Sequence, residues 1–147
     1  MARRLAPALV ALALVASGCG SGGVSAGATV SIYVAAPLCK GAQQRLTQEA
    51  NTAPDLHIRA ICLPPVESKG RIDIATVGAN ARRATEDSTA IAYIEGPSQR
   101  SGKFSRPIVE AADIGWTQAG SGATAISHVL GALDAGSPRV SVRKALH

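Results

Sequence analysis

Thr89-Ala90-Ile91-Ala92-Tyr93-Ile94 is apolar at nearly every position and does not alternate. A strand of that kind belongs inside a sheet covered on both faces, which is the habit of parallel sheets. The flanking residues fit the same picture. Upstream, Asp73 is placed to cap a helix that runs to about Glu86, with Ile74, Val77, Ala81 and Ala84 on one face. Arg82 and Arg83 fall in its last turns, where the helix dipole favours cations. Downstream, Gly96-Pro97-Ser98 opens a polar loop to about Lys103. Residues 105–113 then read as a helix, with Ser105 as its cap and Pro107 in its first turn.

The same rhythm extends to both ends. Val30-Ser31-Ile32-Tyr33-Val34 alternates and is rich in β-branched residues, a strand stopped by Pro37. Gly41 to Asn51 follows as a helix with Ala42, Leu46 and Ala50 on one stripe, and His57 to Leu63 as a second strand ended by Pro64-Pro65. Ile114 to Gln118 forms a short fourth strand. Ile126, Val129, Leu130 and Leu133 mark a helix ended by Gly136, and Ser137-Pro138 begins a last one carrying Val142 and Leu146. Strands alternating with helices imply right-handed crossovers. The expected fold is α/β: a three-layer, doubly wound parallel sheet of about four strands, a single Rossmann-like lobe with strand one between strands two and three.

The N-terminus carries a separate message. Arg3 and Arg4 precede an apolar run from Leu5 to Ala16, followed by Ala16-Ser17-Gly18-Cys19. A charged start, a short apolar stretch and small residues before a cleavage point describe a secretory signal. The run falls short of the ~18–20 apolar residues needed to cross a bilayer. The segment ending at Cys19 resembles the lipobox of bacterial lipoproteins, with Ala16 where Leu is usual. That resemblance implies a signal peptide over 1–18, acylation at Cys19 and an exported domain anchored in the cell membrane by lipid, facing outside the cytoplasm. The alternative is an ordinary signal peptide cut near Gly18. Residues 19–28 read as a flexible Gly/Ser tether, and 29–147 as the domain.

Composition narrows the field. Without Arg3 and Arg4, thirteen of the fifteen basic residues stand against ten acidic ones, a net +3 with no basic run. One Phe, two Tyr and one Trp leave little to stack on bases, so nucleic acid is not an expected partner. Cys39 and Cys62 remain as a pair in an oxidising compartment. Both fall just beyond the ends of neighbouring strands, so a disulfide is geometrically reasonable, the alternative being two free buried thiols. The bridge would close a loop of roughly two dozen residues, worth on the order of 3 kcal/mol. No CxxC occurs and the three His lie far apart, so neither a metal site nor a cofactor is expected.

Asn80-Ala81-Arg82-Arg83-Ala84, the strand from Thr89 to Ile94, and Ser105-Arg106-Pro107-Ile108-Val109-Glu110-Ala111-Ala112-Asp113-Ile114 together resemble the first lobe of type I periplasmic solute-binding proteins. The likeness is to the branched-chain amino-acid-binding group that serves ABC importers. Val30 to Leu38 is similar to that family's first strand and turn, and Ala125 to Leu146 to its closing helices. On that resemblance the chain is one lobe with the second missing. The resemblance implies capture of an amino acid or similar small solute and delivery to an ABC permease. A degenerate lobe acting as an interaction module, including a homodimer, is the alternative. Glu95 stands where the family pattern has Gly, placing a charged side chain at the expected pocket.

In open α/β sheets, ligands bind beyond the C-terminal ends of the strands. Residues 37–40, 96–98 and 120–124 fall there. Hydroxyls and helix N-terminal N–H groups suit an α-carboxylate, and by resemblance Ser98, Ser121 and Thr124 are the candidate ligands. Each has a plainer role available: Ser98 as a turn residue, Ser121 as a helix cap. Gly120-Ser121-Gly122 lacks the Lys-Ser/Thr ending of a phosphate loop. Trp116 reads as core more than as a ligand platform. Ser127, His128 and Asp134 do not form a hydrolase triad, because His128 lies off the core stripe and no G-x-S-x-G elbow exists. An enzyme is not expected.

Overall fold

The computed structural model describes residues 27–49, 55–97 and 99–147. The signal segment, Cys19, most of the tether and Ser98 lie outside the described residues, as does Ala50.

The chain is α/β. Strand β1 (Ala28–Val34) opens at the last residue of the expected tether. It is followed by α1 (Ala36–Gln48), β2 (Leu56–Cys62), a small hairpin of β3 (Glu67–Ser68) and β4 (Arg71–Ile72), and α2 (Ile74–Glu86). Then come β5 (Ala90–Glu95), α3 (Gln99–Ala111), β6 (Gly115–Gln118), α4 (Gly122–Gly131) and α5 (Pro138–Leu146). The main sheet has the order β2-β1-β5-β6, with every neighbouring pair parallel. The first strand thus lies between the next two of the sheet, as the crossover argument expects.

Alternation along β1 sorts the two faces. Val30, Ile32 and Val34 join Leu38 and Ala42 of α1 and Ile126 and Val129 of α4 in one core. Tyr33, on the opposite face, joins Ala81 and Ala84 of α2 and Val109 of α3 in the other. Every residue of β5 is buried, which is why it reads as an unbroken apolar run. Fully burying a side chain such as Ile32 or Ile94 contributes ~1.5–3 kcal/mol. A register shift at the start of the β1–β5 pairing, where Ser31 matches Ala90 and Ile32 matches Ala92, puts Ile91 and Ala92 into the same core.

Helix ends follow local chemistry. Asp73 caps α2, its carboxylate accepting from the amides of Ala75 and Thr76 and from the Thr76 hydroxyl. Pro37 stands in the first turn of α1, so α1 begins five residues before Gly41. Gly122 and Gly41 let α4 and α1 touch through their backbones. A Cβ at Gly122 would fall 2.0 Å from the Leu38 carbonyl oxygen and 2.6 Å from the Ala42 nitrogen.

The structure corrects three of the expectations. Residues 99–103 are helical and not loop, so Ser105 is a fully buried side chain within α3, not its cap, and Pro107 lies inside the helix. Gly102 makes the polar start of α3 look like a loop, yet it is there to pass over Trp116 and Glu95: an added Cβ would lie 2.8 Å from the Trp116 ring. Ile74, assigned to the core stripe of α2, is 55% exposed; it is the first residue of the helix, directly after the β3–β4 hairpin and the Asp73 cap. The α4 helix ends at Gly131, five residues before Gly136.

Candidate functional site

The winding direction of the sheet reverses between β1 and β5. From β1 the chain goes to β2 on one side, and from β5 to β6 on the other. The connections leaving β1 and β5 therefore part, and a crevice forms beyond their C-terminal ends. The structure holds a cleft of ≈ 260 Å³ there. One wall is Leu63 to Val66, the segment between β2 and the hairpin, with Glu67 of β3; the other is Glu95 to Pro97, and Ala35 to Pro37 form the floor with Tyr93. Asn80 of α2 braces the first wall by donating its side-chain amide to the Pro64 carbonyl at 3.0 Å. Two consecutive prolines stiffen the same segment.

Cys39 and Cys62 stand at disulfide distance directly behind this wall, with Cα atoms 5.5 Å apart. Cys62 ends β2 and Cys39 lies in the first turns of α1, so the pair ties the first wall to the floor at their roots.

Glu95 is the unusual member. It is the last residue of the central strand and only 4% exposed. Ser101 of α3 donates to its Oε2 at 3.3 Å, and the absent side chain of Gly102 leaves room for that oxygen. Burial pushes its carboxyl above the usual range, while the Ser105 and Ser101 hydroxyls pull it partway back. Ser105 Oγ makes no well-formed hydrogen bond, and Trp116 Nε1, also beneath α3, is likewise buried without a partner. Tyr93, below, is held well above its normal range by burial and by the Glu95 charge.

Ser121 and Thr124 are brought together, but elsewhere. They line a wide groove of ≈ 530 Å³ between β6 and α4 with Gln118 and His128. No residue is shared between this groove and the cleft. Ser121 caps α4 by accepting from the Thr124 amide at 3.2 Å, and the two hydroxyls are 2.8 Å apart. Ser121 is thus committed to the helix end, and the two hydroxyls bond each other. Ser98, the third candidate, lies outside the described residues, between Pro97 of the cleft and the start of α3. Trp116 is half-buried under α3 with the Arg106 guanidinium 5.1 Å from its ring centre.

Sequence reasoning places Glu95 at the pocket as a departure from a pattern and misses that it is the pocket's main polar group. The signal is present: a lone acid closing an otherwise apolar buried strand. Among the described residues no group of His, Cys, Asp and Glu is placed to hold a metal ion, and no helix is long and apolar enough to cross a membrane.

No protein-family model, curated protein or solved structure matches this chain.

Proposed function

We propose that this chain is an exported, lipid-anchored solute-binding protein of ABC-importer type, reduced to one lobe, that captures an amino acid-like small molecule and presents it to a membrane permease. The observation that carries the reading is the cleft at the reversal point of the sheet. Its lining is mostly apolar, its prolines and Cys39–Cys62 pair make it stiff, and among the described residues its buried polar groups are Asn80, Ser101 and the one buried acid, Glu95. Small-molecule sites in α/β proteins have that composition and that place. At ≈ 260 Å³ the cleft is below the ~300–1,000 Å³ of drug-sized sites, which suits a solute of amino-acid size. Capture, not catalysis, is the reading we favour for a cleft whose one buried acid, Glu95, is hydrogen-bonded by a serine and has no histidine or lysine beside it among the described residues. The lipobox resemblance at Cys19 supplies the anchor and the implied compartment.

Thermal unfolding of the detergent-solubilised full chain against amino acids, amines and small organic acids tests this. A solute at a hundred times its dissociation constant adds about 2.7 kcal/mol, a shift of several °C for a domain of this size. A selective shift is the expected result. A folded protein with no shift across the panel overturns solute capture and points to the interaction module, to be sought by measuring self-association.

A further inference from the structure

We propose that the solute is a small apolar amine, its ammonium group seated on the Glu95 carboxylate and its hydrocarbon part packed against Leu63, Pro64 and Tyr93. This rests on the solute-capture reading and narrows its amino acid-like solute to one that carries the amine without the carboxylate.

Charge decides the class. Among the described residues, the charged side chains lining the cleft are Glu67 and Glu95, and no Lys, Arg or His lines it. An anion entering that space meets two carboxylates and no counter-charge. Among the described residues no cation forms an ion pair with Glu95. A carboxyl this deeply buried is costly to ionise until a positive group joins it. A ligand ammonium supplies that charge and three N–H donors directed at the acceptor. The surrounding walls then select the group that the nitrogen carries. Leucine, prolines, alanines and a tyrosine face accept hydrocarbon and give a second charge no partner. The α-carboxylate of an amino acid therefore lowers affinity here, contrary to the hydroxyl-based site expected at Ser121 and Thr124.

The groups facing Glu95 fit the assignment from each side. Ser101 and Ser105 come from α3, Gln118 pairs with Glu95 from β6, and Tyr93 lies two residues back on β5. Glu67 faces across the cleft from the hairpin. None of them supplies positive charge.

Four ligands with one branched hydrocarbon and different heads separate the possibilities: isoamylamine, leucine, isovalerate and isoamyl alcohol, titrated calorimetrically into the detergent-solubilised full chain. Isoamylamine is expected to bind at least ~tenfold tighter than the alcohol, with leucine weaker than the amine and isovalerate weakest. Glu95→Gln should remove the advantage of the amine over the alcohol. A second measurement does not depend on the variant. Where the free site still holds its proton, amine binding should drive it from Glu95, so the heat should vary with the ionisation enthalpy of the buffer and the affinity should rise with pH through the raised pKa of that carboxyl. An amine no better than the alcohol, a tighter isovalerate, an indifferent Glu95→Gln, or no proton release overturns the inference. Selective binding of a non-amine at the cleft would do so while leaving solute capture intact. Silence from all solutes overturns both.

Discussion

Strand β5 carries an acid at each end, and the two are treated in opposite ways. Asp87, three residues before the strand, accepts from the Thr89 amide at 2.8 Å, the Thr89 hydroxyl at 2.6 Å and the Tyr33 hydroxyl at 2.9 Å, with Arg59 3.7 Å away. Burial alone would raise its carboxyl, but the Thr89 hydroxyl and amide, then Tyr33 and Ser31, outweigh that and hold it at about 2. The same bond, after burial, pushes the Tyr33 phenol up to about 12. Glu95, closing the strand, has hydroxyls beside it, no cation, and a carboxyl pushed the other way. One end satisfies its acid and is structural. The other leaves its acid short of partners beside a cleft, which is how functional groups differ from structural ones.

The ends also differ in what holds them. Around Asp87 the elements are joined by side-chain hydrogen bonds running Arg59–Ser31–Thr89–Asp87. The cleft beyond the Glu95 end is braced instead by Cys39 and Cys62, at the roots of its floor and first wall and 23 residues apart in sequence. Closing a loop of that length is worth on the order of 3 kcal/mol. Reduction, or Cys39→Ser with Cys62→Ser, is therefore the largest perturbation: chemical denaturation should show a loss of about 3 kcal/mol. Hydrogen exchange should rise first in residues 62–67 and 35–39 and only later around Asp87. Equal loosening at both ends would dissolve the contrast.

Asp87→Asn should come next, costing about 1–2 kcal/mol, below the full value of its shift because Arg59 stays half in solvent. The pH dependence is set by the sign. The folded carboxyl is depressed from 3.8 to about 2, so its contribution is complete above about pH 4 and is lost as pH falls toward about 2. The wild type should lose stability steeply over that window, and the variant less so, as read from urea midpoints.

The two ends are not equally legible in the sequence. The strand order, the Asp73 cap and the Cys39–Cys62 pairing come from local rules, namely unbroken apolar runs, a carboxylate before a helix, and cysteines at strand ends. The start of α3 does not. Gln99 to Lys103 is polar and contains Gly102, so by propensity it is a loop; packing over Trp116 makes it a helix. That one difference hides the site, because α3 is what buries Glu95 and turns Ser105 inward. Pattern places Ser121 and Thr124 as neighbours at a strand end, but it cannot show that the two hydroxyls bond each other. The hairpin turn at Lys69-Gly70, both with positive φ, has only a single Gly to announce it.

Glu95→Gln gives the smallest effect and the sharpest test, because its sign is opposite. The folded carboxyl titrates above its unfolded value of 4.5. Between those two values the folded state keeps a proton that the unfolded state has lost. Stability therefore falls as pH rises from about 4.5 through the folded pKa and levels off above it. Above the folded pKa the ionised, buried form carries the whole penalty. Glutamine keeps the shape and the capacity to bond Ser101 while removing the charge, so the variant should unfold a few °C higher than the wild type at pH 7 and no higher at pH 4. A site that gains stability when its acid is neutralised and loses amine binding in the same step has been kept for recognition. If Glu95→Gln instead destabilises at pH 7 as Asp87→Asn does, Glu95 is a second structural acid, and the two ends of β5 are alike.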